Sequence, residues 1–186
     1  MKKPIIGVVV GAAALFVWGV LSWMLLPWHN QTIHRLPEEQ LISDTLKTVV
    51  TEPGLYFFPH HDGPDGKMDD AAWVEKYKRG PVGVLAFSPA GKAPMSAVNF
   101  VVEIIGCLLI ATVSMLLLLL SRDRVRSIVP RAFLVASLAL VVGTTAHLTY
   151  WNWFHFPLDF TLVNICDNVL GFLILGFAQA KFVPQG

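Results

Sequence analysis

The sequence predicts an all-α membrane protein with four transmembrane helices and a small α/β cap between the first and the second of them. Hydrophobic residues make up 54% of the 186 residues and charged residues only 15%, which is more apolar surface than a soluble domain of this length buries. Four long apolar runs explain the excess, because each approaches the roughly 20 residues that a helix needs to cross about 30 Å of hydrocarbon. The runs cover 5–28, 97–120, 128–150 and 160–177 with its flanks.

Basic residues predict on which side of the membrane the chain ends lie. The first apolar run follows Lys2 and Lys3, exceeds the roughly 7–15 residues of a signal-peptide core and is followed by no A-x-A-like cleavage site. We therefore expect residues 1–28 to form an uncleaved signal anchor. Because cytoplasmic loops carry an excess of Lys and Arg, both termini are expected in the cytoplasm, including the tail 181–186. The arginines that agree with this lie between the second and third runs: Arg122, Arg124, Arg126 and Arg131.

Residues 29–96, between the first two runs, are expected to form an extracytoplasmic α/β cap. About 70 residues bury only a marginal core, so the cap is expected to need the membrane bundle or a partner protein. Its expected elements are a helix from Pro37 to the Pro53-Gly54 stop, a strand over 55–58, a helix from Asp69 or Asp70 to Gly80, and a strand over 82–87. The first helix carries an apolar face formed by Leu41, Ile42, Leu46, Val49 and Val50.

One turn-rich run in the cap contains side chains of the kinds that bind metal ions. His60, His61, Asp62 and Asp65 offer imidazole and carboxylate ligands. Their spacing matches neither an EF-hand loop nor a zinc-binding histidine motif. Turn formation and helix capping are therefore favoured, and a metal site is kept as the alternative.

Three ionisable residues stand out inside the remaining apolar runs, which make up residues 97–180. Glu103, His147 and Asp167 each lie on a different run, and Glu103 is roughly 10 Å from the start of its helix at 1.5 Å per residue. All three fall at similar depths near the outer side, so we expect them to converge in one polar cluster. Small and polar neighbours, which favour close helix contacts in lipid, extend this cluster: Asn99, Asn164 and Asn168.

The expected cluster has several possible roles. An isolated carboxylate in hydrocarbon is costly unless it is protonated, paired or hydrated, and His147 is the expected partner by depth. A hydrogen-bonded clamp between helices is the favoured interpretation, and a metal site or a proton-handling site are the alternatives. Residues 143–153 also resemble single-span light-harvesting polypeptides, because Gly143 lies four positions before His147 and tryptophans follow. That resemblance implies His147 as a ligand of a haem-like or chlorophyll-like tetrapyrrole.

Other function classes find no support in the sequence. The net charge of +1 gives no electrostatic case for binding nucleic acid. The stretches 116–120 and 171–177 contain no ionisable residue, so a transmembrane ion route lacks stepping stones in the inner leaflet. We also find no nucleophile motif of the known hydrolase kinds.

The first cap helix, the run Gly-Pro-Val-Gly-Val-Leu-Ala-Phe at 80–87 and the run Tyr-Trp-Asn-Trp-Phe-His-Phe-Pro at 150–157 resemble small bacterial inner-membrane proteins of no known activity. We therefore expect a multi-pass protein of a bacterial inner membrane. Its expected function is that of a non-catalytic accessory, assembly or scaffold subunit, without a cofactor. Lipids and other integral membrane subunits, or copies of itself, are the expected partners. The alternative is a metal-binding or cofactor-binding protein, an enzyme or a proton handler, that uses Glu103, His147 and Asp167.

Overall fold

The computed structural model describes residues 2–61 and 70–184, and most of them are helical. Four helical segments are long and apolar enough to span a membrane, which confirms the four predicted spans: Lys2–Met24, Ala97–Leu120, Ile128–Phe154 and Leu158–Ala180. The elements in chain order are α1 (Lys2–Met24), α2 (Trp28–Thr32), α3 (Glu39–Val49), β1 (Gly54–Phe58), α4 (Ala71–Arg79), β2 (Gly83–Phe87), α5 (Ala97–Leu120), α6 (Ile128–Val142), a π-helical segment (Gly143–Leu148), α7 (Thr149–Phe154) and α8 (Leu158–Ala180).

The first span is shorter than its apolar run. Helix α1 ends at Met24, and the separate short helix α2 begins directly after Pro27. Proline lacks the N–H that would continue a helical hydrogen-bond ladder and fixes the φ angle, so it suits the first turn of a new helix. The expected single helix to residue 28 is therefore replaced by a helix, a turn and a second helix. This turn brings His29 back against the bundle.

Helices α1, α5, α6 and α8 belong to one compact unit, which covers residues 1–34, 94–149 and 157–186. Helix α8 packs against α6 and α1, and α1 also packs against α5. Gly176 allows the close crossing of α8 and α6, because a Cβ at this position would lie 2.7 Å from the Cα atom of Ala132. The centre of the bundle is formed by small and medium apolar side chains with almost no exposure, among them Ala111, Met115, Leu118, Val135, Ala139 and Leu175.

The third span changes its helical hydrogen-bond pattern near its end. Residues Gly143–Leu148 form a π-helical segment between α6 and α7. A Cβ at Gly143 would lie 3.1 Å from the side chain of Ile165 on α8, so the glycine keeps this part of the span close to α8. Single π-helical turns occur frequently at functional sites, and His147 lies within this one.

Arg35–Ala93 and Tyr150–Phe156 form a second compact unit, which contains the elements predicted for the cap. The predicted order of helix, strand, helix and strand is confirmed, and β1 pairs with β2 in antiparallel orientation with Tyr56 opposite Leu85. The Asp70 carboxylate accepts the backbone N–H of Ala72 and so caps α4, as the sequence predicts. Gly80, with a φ of 69°, ends that helix.

Candidate functional site

The carboxylate of Asp167 on α8 is held by two side chains of α1. The indole Nε1 of Trp18 donates to Asp167 Oδ1 at 2.8 Å, and the Ser22 hydroxyl donates to the same oxygen at 2.7 Å. Trp18 and Ser22 lie four residues apart, so they share one face of α1. Two donors from one helix therefore tie α1 to α8 at this depth, through the kind of polar contact that stabilises helix association in lipid.

His29 on α2 completes this group and is fully buried. Its Nε2 atom lies 3.1 Å from Ser22 Oγ and 3.4 Å from Asp167 Oδ2. The Trp23 indole stacks on the imidazole with the ring centroids 3.8 Å apart. Trp28 Nε1 also donates to Ser22 Oγ, at 3.1 Å. We call Trp18, Ser22, Trp28, His29 and Asp167 the carboxylate cluster.

The bonds of Ser22 indicate the tautomer of His29. A serine hydroxyl carries one proton, and in this structure Asp167 accepts it. The oxygen therefore accepts from its other neighbours, which implies a proton on His29 Nε2. The Nδ1 atom of His29 is buried and forms no hydrogen bond with any residue in the described part of the chain.

A glycine on α8 gives Trp18 the room to reach Asp167. A Cβ at Gly171, one turn after Asp167, would lie 2.9 Å from Trp18 Cδ1. The large indole can therefore lie flat enough on α8 for its N–H to bond the carboxylate. A small residue on one helix and a tryptophan on another are visible in the sequence, but their pairing becomes a signal only when the two helices are known to be neighbours.

His147 has a different partner from the one expected. The similar depths of the three residues predicted a carboxylate as the partner of His147. The Nε2 atom of His147 instead lies 2.9 Å from the Nδ2 atom of Asn168. His29 lies beside Asp167, and the expected direct pairing of His147 with Asp167 is not among the contacts of the described residues. The physical reason is the turn at Pro27, which returns His29 to the bundle. A metal or tetrapyrrole at His147 Nε2 would have to displace Asn168.

The other residues of the expected cluster, Asn164, Glu103 and Asn99, have separate local contacts. The Asn164 side chain donates to the backbone oxygen of Phe160 on its own helix at 2.8 Å and bonds none of the ionisable residues. Glu103 is exposed, and its described contact is a weak one from the Cys107 thiol at 3.9 Å. Asn99 accepts the hydroxyl of Ser96. Among the hydrogen bonds of the described residues, none joins any two of Glu103, His147 and Asp167.

A groove between α1, α5 and α8 does bring four of the predicted polar residues to one surface. Its volume is about 630 Å³. Asn99 and Glu103 line it from α5, and Asp167 and Asn168 line it from α8. Trp18 and Trp23 line it from α1, so Glu103 and two members of the carboxylate cluster, Trp18 and Asp167, face this space.

A second buried polar group lies nearer the opposite ends of these helices. Gln179 on α8 is fully buried, donates from Nε2 to the backbone oxygen of Ala111 at 2.7 Å and accepts the Ser114 hydroxyl at 2.6 Å. We call Ala111, Ser114 and Gln179 the amide cluster. It joins α5 to α8 and was not predicted from the sequence.

Arg131 is also more than a marker of the cytoplasmic side. Its side chain is buried, with 5% exposure. The guanidinium donates to the backbone oxygens of Val125 and Ala180 at 2.9 Å each. A cation near the last turn of a helix satisfies free carbonyl groups and interacts favourably with the helix dipole, so Arg131 caps α8.

The candidate metal ligands in the cap are only partly described. The rings of His60 and His61 lie 4.5 Å apart, and His60 Nδ1 lies 2.7 Å from the backbone oxygen of His61. Asp62 and Asp65 lie outside the described residues. Within 2–61 and 70–184, no three His, Cys, Asp or Glu side chains are grouped closely enough to hold a metal ion.

Comparison with known proteins found no match: no protein family, no curated protein and no solved structure is similar to this chain at the significance required. The interpretation of the site therefore depends on its own chemistry.

Proposed function

We propose that the protein is a non-catalytic accessory, assembly or scaffold subunit of a larger complex in a bacterial inner membrane. Several polar side chains inside its long helices bond to other helices of the same bundle. Asp167 accepts from Trp18 and Ser22, and Gln179 joins α8 to α5. Polar groups used in this way stabilise helix contacts and leave few groups free for chemistry.

The observation that carries the proposal is a partly uncovered apolar face on α3, of which Ile42, Leu46 and Val50 are half-buried. Leu41 is 66% exposed and Val49 is 73% exposed, although both belong to the apolar side of this amphipathic helix. Such a helix gains stability mainly when its apolar side is packed against another surface. An uncovered apolar face outside the spans suits a protein partner.

The proposed orientation places both termini in the cytoplasm and α3 outside it. It rests on Lys2 and Lys3 at the start of α1 and on Arg122, Arg124 and Arg126 between α5 and α6. Since Arg131 is buried as a helix cap, it adds less to this argument than its charge implies. A periplasmically active reporter fused after Asp69 is expected to be active. A reporter at that position that works only in the cytoplasm would reverse the orientation.

The partner test is affinity purification in mild detergent followed by mass spectrometry. We expect defined membrane proteins to copurify with the unaltered chain. The double variant Leu41→Gln and Val49→Gln is expected to lose at least one of them. The matched control is Asp44→Gln with Lys47→Gln, which places the same side chain at two exposed polar positions of α3.

Two outcomes would contradict the accessory role. One is a homogeneous protein that copurifies with no other subunit and forms no oligomer. The other is equal loss of partners from the apolar-face variant and from its control, because that result would remove α3 as the docking surface.

The metal and cofactor alternatives stay hypotheses, and two simple measurements test them. Metal analysis and an absorption spectrum of the purified protein would detect a bound ion or a tetrapyrrole at His147. A stoichiometric metal or pigment band that is lost in His147→Gln would favour this alternative over the accessory role.

A further inference from the structure

The groove between α1, α5 and α8 carries its polar side chains at one end, beside Met24 and Met95, and is lined by apolar side chains at the other. Asn99 and Glu103 lie near the start of α5, and the groove continues along that helix to Ile110. These positions span about 16 Å at 1.5 Å per residue. On α8 the lining changes in the same direction, from Asp167 and Asn168 to Phe172.

Within the described part of the chain, the polar end of the groove has acceptors but no basic side chain. Glu103 and Asp167 supply two carboxylates, and no Lys, Arg or His is among the described residues that line the groove. His29 approaches Oδ2 of Asp167 at 3.4 Å, so Glu103 is the less compensated of the two carboxylates in the groove. A carboxylate in a membrane-spanning helix is costly unless a cation, a proton or water reaches it.

The walls beside these carboxylates are aromatic. Trp18 and Trp23 line the groove from α1, and Phe100 lines it from α5. Aromatic faces attract organic cations, and aromatic cages bind alkylammonium groups in other proteins. Carboxylates and aromatic rings together therefore favour an ammonium group over an anion or a neutral sugar.

We propose that this groove binds an amphiphile with an ammonium head and a single apolar chain. The head lies between Glu103 and the tryptophans, and the chain extends toward Ile110 and Phe172. The volume of about 630 Å³ falls within the roughly 300–1,000 Å³ that is usual for small-ligand pockets.

The direction of the groove also matches an amphiphile in a bilayer. Its polar end is near the last residue of α1 and the first residue of α5, and its apolar end is near the middle of both helices. A membrane lipid has the same order, with its head at the surface and its chain toward the centre. The ammonium compound is therefore either a lipid with an amine headgroup or a free alkylamine.

The test uses the full chain in phosphatidylglycerol vesicles, since this lipid has no ammonium group. The probe is a long-chain alkylamine with a photoreactive diazirine, and the matched alcohol with the same chain is the uncharged control. Cross-linked peptides are identified by mass spectrometry over a range of probe concentrations. We expect saturable labelling of the α1, α5 and α8 segments that line the groove by the amine, and not by the alcohol.

Two pairs of variants separate binding in the groove from general effects. A Cβ at Gly19 meets no atom within 4 Å, and Gly19 lines the groove, so Gly19→Leu is expected to fill the groove without a clash and to abolish the labelling. Gly106→Leu is the control, because Gly106 also has open space but is not part of the lining. Glu103→Gln is expected to raise the half-saturation concentration about tenfold, or 1.4 kcal/mol. Asp159→Asn, which removes a carboxylate outside the groove, is expected to leave it unchanged.

Competition then identifies the source of the ammonium group. Displacement of the probe by lysophosphatidylethanolamine, which carries an amine headgroup on a single chain, supports a lipid headgroup, and displacement only by an unlabelled soluble alkylamine supports a free amine. The proposal is overturned if the alcohol labels the groove as well as the amine, or if Gly19→Leu and Gly106→Leu label equally. Cross-linking of the groove to a second polypeptide, with the amine excluded, would also overturn it.

Discussion

Two polar clusters connect α8 to neighbouring helices, one through neutral groups and the other through a carboxylate. The amide cluster joins α8 to α5 through Gln179 and Ser114, which are neutral and fully buried. The carboxylate cluster joins α8 to α1 and α2 through Asp167, whose side chain remains 14% exposed toward the groove. A neutral cluster that is closed to the groove contributes only to the stability of the bundle. A charged cluster open to a groove stabilises it and can also respond to what the groove contains.

The largest effect is expected from removing the carboxylate of Asp167. Asp167→Leu leaves Trp18 and Ser22 without their acceptor and leaves buried His29 beside an apolar group. A buried polar group without a partner costs about 1–3 kcal/mol. We expect Asp167→Leu to lower the free energy of unfolding in detergent by about this amount relative to Asp167→Asn, which keeps an acceptor oxygen. Equal stability of the two variants would show that these bonds do not hold α1 to α8.

A smaller loss is expected from the amide cluster. Gln179→Leu removes one bond to Ala111 and one to Ser114, and both lost partners are neutral. We expect the free energy of unfolding to fall by about 1 kcal/mol. Gln179→Glu is the informative companion, since it retains an acceptor but can bring a charge into a closed site. If Gln179→Leu costs more than Asp167→Leu, the ranking of the two clusters is wrong.

Double-mutant cycles test the comparison between the two serine bonds. Ser22 donates to a carboxylate and Ser114 donates to an amide oxygen, and hydrogen bonds to charged groups contribute more than neutral ones. Couplings between membrane helices average about 0.6 kcal/mol and reach about 1.7 kcal/mol. We expect the Ser22 and Asp167 pair to lie nearer the upper value and the Ser114 and Gln179 pair nearer the average. The reverse order would indicate that solvent in the groove weakens the carboxylate bond.

Hydropathy and turn residues were sufficient to predict the four spans and the elements of the cap. The span over Ala97–Leu120 needed only its length and composition, and the cap helix Ala71–Arg79 was bounded by Asp70 and Gly80. These features are local. Each depends on residues close together in the sequence, where propensity and capping act directly.

The partners inside the bundle could not be predicted in the same way. Depth along the helices made His147 the expected partner of Asp167. Depth does not indicate which way a side chain faces around its helix, or whether the chain after a helix turns back against the bundle. Pro27 was the available signal, since it ends the first span before His29. The pairing of Trp18 with Gly171 also required knowledge of which helices are neighbours, and a single sequence does not contain that information.

The smallest effect on stability is expected at Glu103. Its side chain is exposed, and its described contact is weak, so Glu103→Gln and Glu103→Leu are each expected to change the free energy of unfolding by less than about 0.5 kcal/mol, the usual range for surface substitutions. The measurement is unfolding in detergent beside Asp167→Asn and Asp167→Leu. A large loss in Glu103→Leu with full retention in Glu103→Gln would instead place Glu103 in a hydrogen-bonded clamp, as the sequence analysis expected. Small effects at Glu103 and large effects at Asp167 would separate the two carboxylates of the groove by role, with one holding the helices together and the other free to bind a cation.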